Sequence, residues 1–485
     1  MFSAMLRRWK ATTLIYAVLL LIVGTAFFQE LCKDNSFNPS STLNENAVAT
    51  DADDTAADDT AAAEDESDFW EWETTTRFSA RKKDMKEEDQ ICDSFPSHML
   101  SQVQVILKIG ASEPADRVDT QITTVTRCIS NLLIVSDMES ELHGHRVHDV
   151  LADLPESVWS NEADLEAYEA LKQGRVKSVN NQQGWNLDRM KFLPMLERAY
   201  DVNPTAKWYV FLESDTYYVW DNLFRLLDQF DPTVPLYFGS PSPGKPDEGE
   251  TTWFAYGGSG YIISAAALQK LVHRETGPFG EYIQPSLSAQ YADLIRGTDC
   301  GDTVVGWALY QKGINLSGAF PMFNPHALHS VPFDEMHWCR PVISMHKTKL
   351  ADMKGLMKWE NERDRRYPLL YAELFNYTGM GTFDKRPDWD NADWGGWQEP
   401  PESPSHTSLK ACGAACHDNA DCLSYTYSST RHCFFIRTMR LGDKRPLNLE
   451  ERQTAGWDLQ KMQNWIANHQ CEKAQWVKPS LSRIF

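Results

Sequence analysis

The sequence predicts an α/β fold built on a mainly parallel sheet covered on both faces, followed by a small cysteine-rich unit. Three observations carry this. Apolar strand-like runs alternate with helical stretches from about residue 102 onward, the pattern of strand–helix–strand units. The strongest run, Trp208-Tyr-Val-Phe-Leu212, is continuously apolar, as in a strand buried on both faces, and ends in Glu213-Ser214-Asp215. Five of the ten cysteines fall between Cys412 and Cys471.

Taken in order, Gln102 to Ile109 alternates and then runs apolar, which predicts the first strand. After a helical stretch, Asn131 to Ser136 predicts a second strand ending at Asp137, with Cys92 and Cys128 flanking the unit and open to bridging. Leu165 to Gln173 has helical composition. In the segment Trp185 to Tyr200 the apolar residues Leu187, Met190, Leu193 and Leu196 stand three apart, one face of a helix that Pro194 would bend. Asp221 opens a further helix running to Phe230. Pro235 to Ser240 reads as a short strand and Pro241 to Glu250 as a polar loop. Trp253 to Ser264 contains three glycines in four positions (Gly257, Gly258, Gly260), with Ser264 capping the next helix. Asp299 and Asp302 precede the apolar helix ending near Leu309, and His337 to His346 is a strand-like run that ends in a histidine.

Composition and termini set the context. The 485 residues are enough for two to four domains, and 42% hydrophobic with 12% aromatic residues supplies a large core. A formal net charge of -21 argues against nucleic acid as a partner. Residues 11–29 carry no charge, follow Arg7, Arg8 and Lys10, and are long enough to span a bilayer, so they predict an uncleaved signal anchor with residues 1–10 cytoplasmic. Residues 30–90 include the run Asp51-Ala-Asp-Asp-Thr-Ala-Ala-Asp-Asp and read as an acidic, disordered stem. Residues 386–405, with Trp389, Trp394 and Trp397, read as a linker that packs on something. The spacing of Cys412, Cys416, Cys422 and Cys433 suits disulfides better than zinc, because no histidine stands at zinc-finger distance; the pairing is not fixed by spacing. Cys300, Cys339 and Cys471 are further disulfide candidates, and Asn315 and Asn376 head N-glycosylation sequons.

The chemistry concentrates at a few points. Ligands in open α/β sheets bind beyond the carboxyl ends of the strands, where Glu213 and Asp215 would face one way and could hold a hard divalent cation; an acidic turn with Asp215 capping the next helix is the plainer alternative. Glycines 257 and 258 allow close backbone approach, and Trp253, Tyr256 and Tyr261 offer faces on which sugars stack, although a tight bend alone would explain the glycines. Helix capping explains Asp299 and Asp302 equally well, and His346 gains interest only if the fold returns it to Asp215.

In this order, Glu213-Ser-Asp-Thr-Tyr217, Gly257-Gly-Ser-Gly-Tyr261, the acidic pair before Val-Val-Gly306, and Trp338-Cys-Arg-Pro-Val-Ile-Ser-Met-His346 resemble glycosyltransferase family 31. The likeness is to its core 1 β1,3-galactosyltransferase and Fringe group, including fungal members, and runs from about Cys92 to Thr378. Thr126 to Asp137 matches that group's second-strand region. The resemblance implies a GT-A fold, Rossmann-like, over residues 91–385. It also implies a UDP-sugar donor, Mn²⁺ or another divalent cation, a glycan or glycoprotein acceptor, and an inverted β1,3 linkage to galactose or another hexose. It makes Asp215, with Glu213, and His346 metal ligands and Asp302 the general base, with Asp299 close enough to stand in for it. Lys191, Trp185, Ser214 and Asp137 fall at the donor side. Glu and Ser in place of the commoner Asp-Asp-Asp are a departure from the family pattern. Residues 406–485 resemble a PAN/Apple domain, a disulfide-bonded α+β module that binds proteins or carbohydrates. The expectation is a single-pass type II membrane enzyme of the Golgi or ER, with homo-oligomerisation left open. The competing reading is a membrane-tethered carbohydrate- or protein-binding receptor whose transferase domain is inactive, and a retaining enzyme is a third.

Overall fold

The structure is a computed structural model that describes residues 67–72, 92, 95–159, 161–430, 432–448 and 450–484. The expected tail, signal anchor and most of the stem lie outside the described residues. Among the described residues no helix is long and apolar enough to cross a membrane.

An eight-stranded mixed sheet organises the larger part of the chain. From edge to edge its strands are Ser317–Gly318, Tyr237–Gly239, Tyr261–Ser264, Trp208–Glu213, Val103–Lys108, Leu132–Ser136, His145–Asp149 and Ser140–Leu142. Four of its seven pairings are parallel; the strand Tyr261–Ser264 runs antiparallel to both neighbours, and Ser140–Leu142 closes the far edge antiparallel. The apolar run therefore forms the expected central strand, in parallel register with Val103–Lys108 so that Lys108 stands beside Glu213. Side chains alternate between two cores, as period-2 geometry demands. Val210 and Leu212 face one with Val105 and Leu107, while Tyr209 and Phe211 face the other with Ile106. The first core is covered by helices Ala115–Thr123, Trp220–Leu227 and Leu350–Glu362. The second is covered by Phe192–Val202, Ala265–Val272 and Gly301–Gln311.

Some elements differ from expectation for identifiable reasons. The single bent helix is two, Asn181–Met190 and Phe192–Val202, with the break at Lys191; Pro194 then lies in the first turn of the second, where its missing N–H costs nothing. Asn180 closes the first with a capping box to Gln183. The polar loop is instead an isolated antiparallel hairpin, Pro241–Asp247 with Glu250–Ala255, whose edge position tolerates three prolines. Of the stretch His337 to His346, only Ser344–Met345 is strand, flanked by Phe323–Asn324 and Tyr217–Tyr218.

The C-terminal part is a five-stranded antiparallel sheet ordered Lys385–Pro387, Gln453–Trp457, Ser424–Ser428, His432–Ile436, Trp397–Gln398, with helix Leu409–Asp418 against it. The stretch expected as a linker thus contributes two of the strands, and its Trp389–Asp390 pairs with Asp443–Lys444. Disulfides join Cys412 to Cys433 and Cys416 to Cys422 within this unit, Cys92 to Cys128 at the first strand–helix unit, and Cys339 to Cys471 between the two parts. Cys300 is also disulfide-bonded, and among the described residues no cysteine is free. Asn315 and Asn376 are exposed.

The stem expectation needs one correction. Phe69–Trp70 pairs antiparallel with Trp476–Val477, and Trp70 and Trp72 stack at 5.0 Å against Phe230 and Trp476. These rings bury enough apolar surface to hold a short segment in an otherwise acidic stretch.

Candidate functional site

The central strand ends at Glu213, and the turn that follows is pinned from three sides. Thr216 N–H closes it onto Glu213 O (3.1 Å), Thr216 Oγ1 donates to Gly258 O (2.7 Å), and Thr348 N–H donates to Asp215 O (3.0 Å). Ser344–Met345 then delivers His346, whose amide donates to Asn324 O (3.1 Å) and whose Nε2 lies 3.4 Å from Asp215 Oδ1. One donor atom from each of Glu213, Asp215 and His346 lies within 4.8 Å of the others. Chain positions separated by more than 130 residues thereby meet, as the strand-end reading requires.

The glycine turn makes this approach possible. Gly257 and Gly258 form a 3-10 turn with Ser259, and a Cβ at Gly258 would clash with Cε1 and Nε2 of the His346 ring. On its other side the turn meets Asp302, whose Oδ2 accepts Gly257 N–H at 2.7 Å and whose Oδ1 accepts Thr303 N–H at 2.9 Å. Asp302 and His346 thus flank two consecutive glycines. Burial pushes the Asp302 carboxyl up to about 6, with the Glu213 charge adding and the two amides opposing. Burial also opposes ionisation of Asp215, yet His346, Arg117 and Lys347 hold it below its ordinary value. Arg117 Nη1 stands 3.9 Å from Asp215. Tyr256 presents its ring edge-on to His346, centroids 5.4 Å apart.

Beside this set lies a buried ionic network. Lys108 Nζ reaches Asp188 (2.5 Å) and Glu213 (3.1 Å); Lys191 Nζ reaches Asp137 (3.1 Å), Asp188 (3.3 Å) and Ile109 O (2.9 Å). Burial alone would lower both lysines, but the surrounding carboxylates raise them, so both stay cationic. Asp137 also accepts Ala111 N–H (2.8 Å), and Ser214 Oγ donates to Glu113. The two buried lysines thus serve the carboxylates of Asp137, Asp188 and Glu213, with Glu113 and Asp302 close enough to feel their charge, while Asp215 answers to His346, Arg117 and Lys347. Two carboxylates converging with an imidazole form a donor set able to hold a divalent cation.

The remaining expected residues fall in two groups. Trp185, 40% exposed, donates Nε1–H to Asp299 O (2.7 Å), and Arg189 donates to Thr298 O (2.9 Å), so helix Asn181–Met190 braces the loop ahead of Asp302. Asp299 lies in that loop, and Asp302 touches the glycine turn. Trp253 is half-buried, but Tyr261 is core, stacked on Phe211 at 4.7 Å, and offers no face to a sugar. Lys108, Asp188 and Glu113 were not anticipated; a lysine ending the apolar run Val105-Ile-Leu107 was the available signal for the first.

Residues 124–317 match the family model described as Fringe-like. The chain is 35% identical over 78 residues to the Fringe glycosyltransferase of Drosophila melanogaster (14% of this chain, 19% of that protein). It is 26% identical over 180 residues to the beta-1,3-N-acetylglucosaminyltransferase lunatic fringe of Xenopus laevis (34% and 45%). The matches therefore span less than half of either relative. Among solved structures, a glycosyltransferase involved in the glycosylation of the major capsid of PBCV-1 aligns at 15% identity and a TM-score of 0.25, covering 53% of this chain and 98% of that one.

Proposed function

We propose that the chain is a cation-dependent, inverting glycosyltransferase that moves a hexose or N-acetylhexosamine from a UDP-sugar to a hydroxyl of a glycan or glycoprotein, forming a β1,3 linkage. The observation that carries this reading is the meeting of Glu213, Asp215 and His346 one glycine away from the buried carboxylate of Asp302. Glu213, Asp215 and His346 would hold the cation, which when bound supplies Lewis-acid neutralisation of the leaving diphosphate. Asp302, raised by burial toward neutrality, is the group placed to accept the acceptor hydroxyl's proton as its oxygen attacks the anomeric carbon. Gly257 N–H and Thr303 N–H hold that carboxylate in orientation. Direct displacement by a single base inverts the anomeric centre. The Lys108–Asp188–Lys191–Asp137 network fixes the floor of the site, Lys191 tying the strand ends of Ile109 and Asp137 to one helix break.

Bonded cysteines throughout the described chain and exposed sequon asparagines support a lumenal Golgi or ER setting behind a type II anchor. A shift in apparent mass on removal of N-glycans from cell-made protein checks the compartment, and unmodified Asn315 and Asn376 would count against it. For the reaction, purified protein is incubated with UDP-galactose, UDP-N-acetylglucosamine and UDP-glucose, with and without Mn²⁺. Release of UDP that needs Mn²⁺ and is lost in Asp215→Ala is the expected outcome. Absence of UDP binding, with glycans captured by residues 406–485 instead, would establish a receptor.

A further inference from the structure

His346 reaches the site on a strand of two residues, Ser344–Met345, between two others equally short. Such strands have little stability of their own, so what holds this segment from outside decides where the imidazole sits. Much of that support comes from the C-terminal unit. Trp394 stacks face to face on His326, centroids 4.7 Å apart and planes within 4°. Arg440, 1% exposed, lies over the Trp394 ring at 4.0 Å and donates Nη1–H to Trp394 O (2.6 Å). His326 N–H in turn donates to Asn324 Oδ1 (2.9 Å), and Asn324 O is the acceptor of the His346 amide. Burial, then His337 and Arg440, pushes His326 down to about 3, so the stacked ring is neutral. Around this stack, Phe333 and Met439 exchange backbone hydrogen bonds, Gly442 N–H donates to His329 O (2.8 Å), and Lys349, three residues past His346, pairs with Asp443.

We infer that the C-terminal unit is a buttress of the cation site, and that Trp394, clamped between His326 and Arg440, is a positioning residue for His346. The inference rests on the reading of Glu213, Asp215 and His346 as the cation-binding set. It makes the unit part of the transferase machinery instead of a tethered accessory that could be removed.

The test uses the full chain in four forms: wild type, Trp394→Ala, Trp394→Phe and Arg437→Ala. Arg437 is 64% exposed and packs on Trp397, elsewhere in the same unit. Amide hydrogen exchange is read without metal, and Mn²⁺ affinity by electron paramagnetic resonance. In Trp394→Ala the His346 and Thr348 amides should exchange at least tenfold faster while those of Trp208–Glu213 are unchanged. Mn²⁺ affinity should fall roughly tenfold, the scale of outer-shell substitutions. Trp394→Phe keeps a ring in the stack and should recover most of both; Arg437→Ala should move neither. Wild-type exchange and affinity in Trp394→Ala, or equal loosening of the central strand, overturns the inference. Should Trp394→Ala not fold, Asp443→Asn removes the exposed pair to Lys349 and should show the same two changes at about twofold; no change there overturns it as well. Wild-type protein that binds no Mn²⁺ overturns the cation reading itself, whereas Mn²⁺ bound equally by wild type and Trp394→Ala overturns only the buttress.

Discussion

Two neighbouring backbone positions show how little room the site leaves. Gly258 needs no special backbone angle; it is glycine because the His346 ring occupies the place of its side chain. Gly258→Ala should therefore preserve the fold yet push the imidazole aside, lowering Mn²⁺ affinity roughly tenfold or more with an unchanged circular dichroism spectrum. Asp302 makes a different kind of prediction. Its carboxyl, buried and raised to about 6, must be ionised to take a proton, so kcat/KM should fall roughly tenfold per pH unit below about pH 6. Asp302→Asn should remove that limb and lower turnover by roughly 10²–10⁴-fold with UDP binding intact. A flat acid limb in the wild type would exclude Asp302 as the base, and Asp299, in the loop ahead of the same helix, would be the next residue to replace.

At the level of elements, the helix Trp220–Leu227 carries its own test. Asp221 was expected to open this helix; it stands in the first turn, and its carboxylate is buried between Arg225 and Arg363, each at 2.5 Å. Removing one member of a buried ion pair strands the others, so Asp221→Ala should cost about 3–5 kcal/mol in urea unfolding. Burial opposes the charge of Asp221, but Arg363 and Arg225 hold its carboxyl below the ordinary 3.8. A depressed folded value means its stabilisation is present above about pH 4 and is lost as pH falls through the folded value, so wild type and Asp221→Ala should converge in acid. The partner explains what the sequence could and could not convey. The apolar run to Leu212 and the acidic turn after it are local signals and marked their elements, while the period-three face of Leu187 to Leu196 marked helix but not the break at Lys191. Arg363 lies 142 residues from Asp221, and nothing in local spacing pairs them. The same holds for Lys108, Asp188 and Lys191, whose network exists only once two strands and a helix break converge. The hairpin Pro241–Asp247 was hidden by its prolines, which favour loops except on edges. Tyr261 looked like a sugar platform because alternation shows only that residues point to opposite faces, and the second core lies on its side of the sheet.

Over the whole molecule, the two parts are closed on each other at several levels: the Cys339–Cys471 disulfide, the Trp394 stack, and the strand Phe69–Trp70 laid along Trp476–Val477. The disulfides differ widely in how much chain they close. Cys339 and Cys471 are 132 residues apart, whereas Cys416 and Cys422 are 6 apart. If a crosslink acts mainly by limiting the unfolded chain, the long one contributes about 5 kcal/mol and the short one about 2 kcal/mol. Cys339→Ala with Cys471→Ala should therefore lower the unfolding midpoint well beyond the paired change at 416 and 422. Cys339 also lies on the segment that leads to His346, and its carbonyl accepts Gln475 N–H at 3.0 Å. The long-loop variant should accordingly lose Mn²⁺ affinity under conditions where it remains folded, while the short-loop variant should not. Equal losses of stability from the two, with affinity untouched in both, would mean that the C-terminal unit is joined to the transferase without supporting its site.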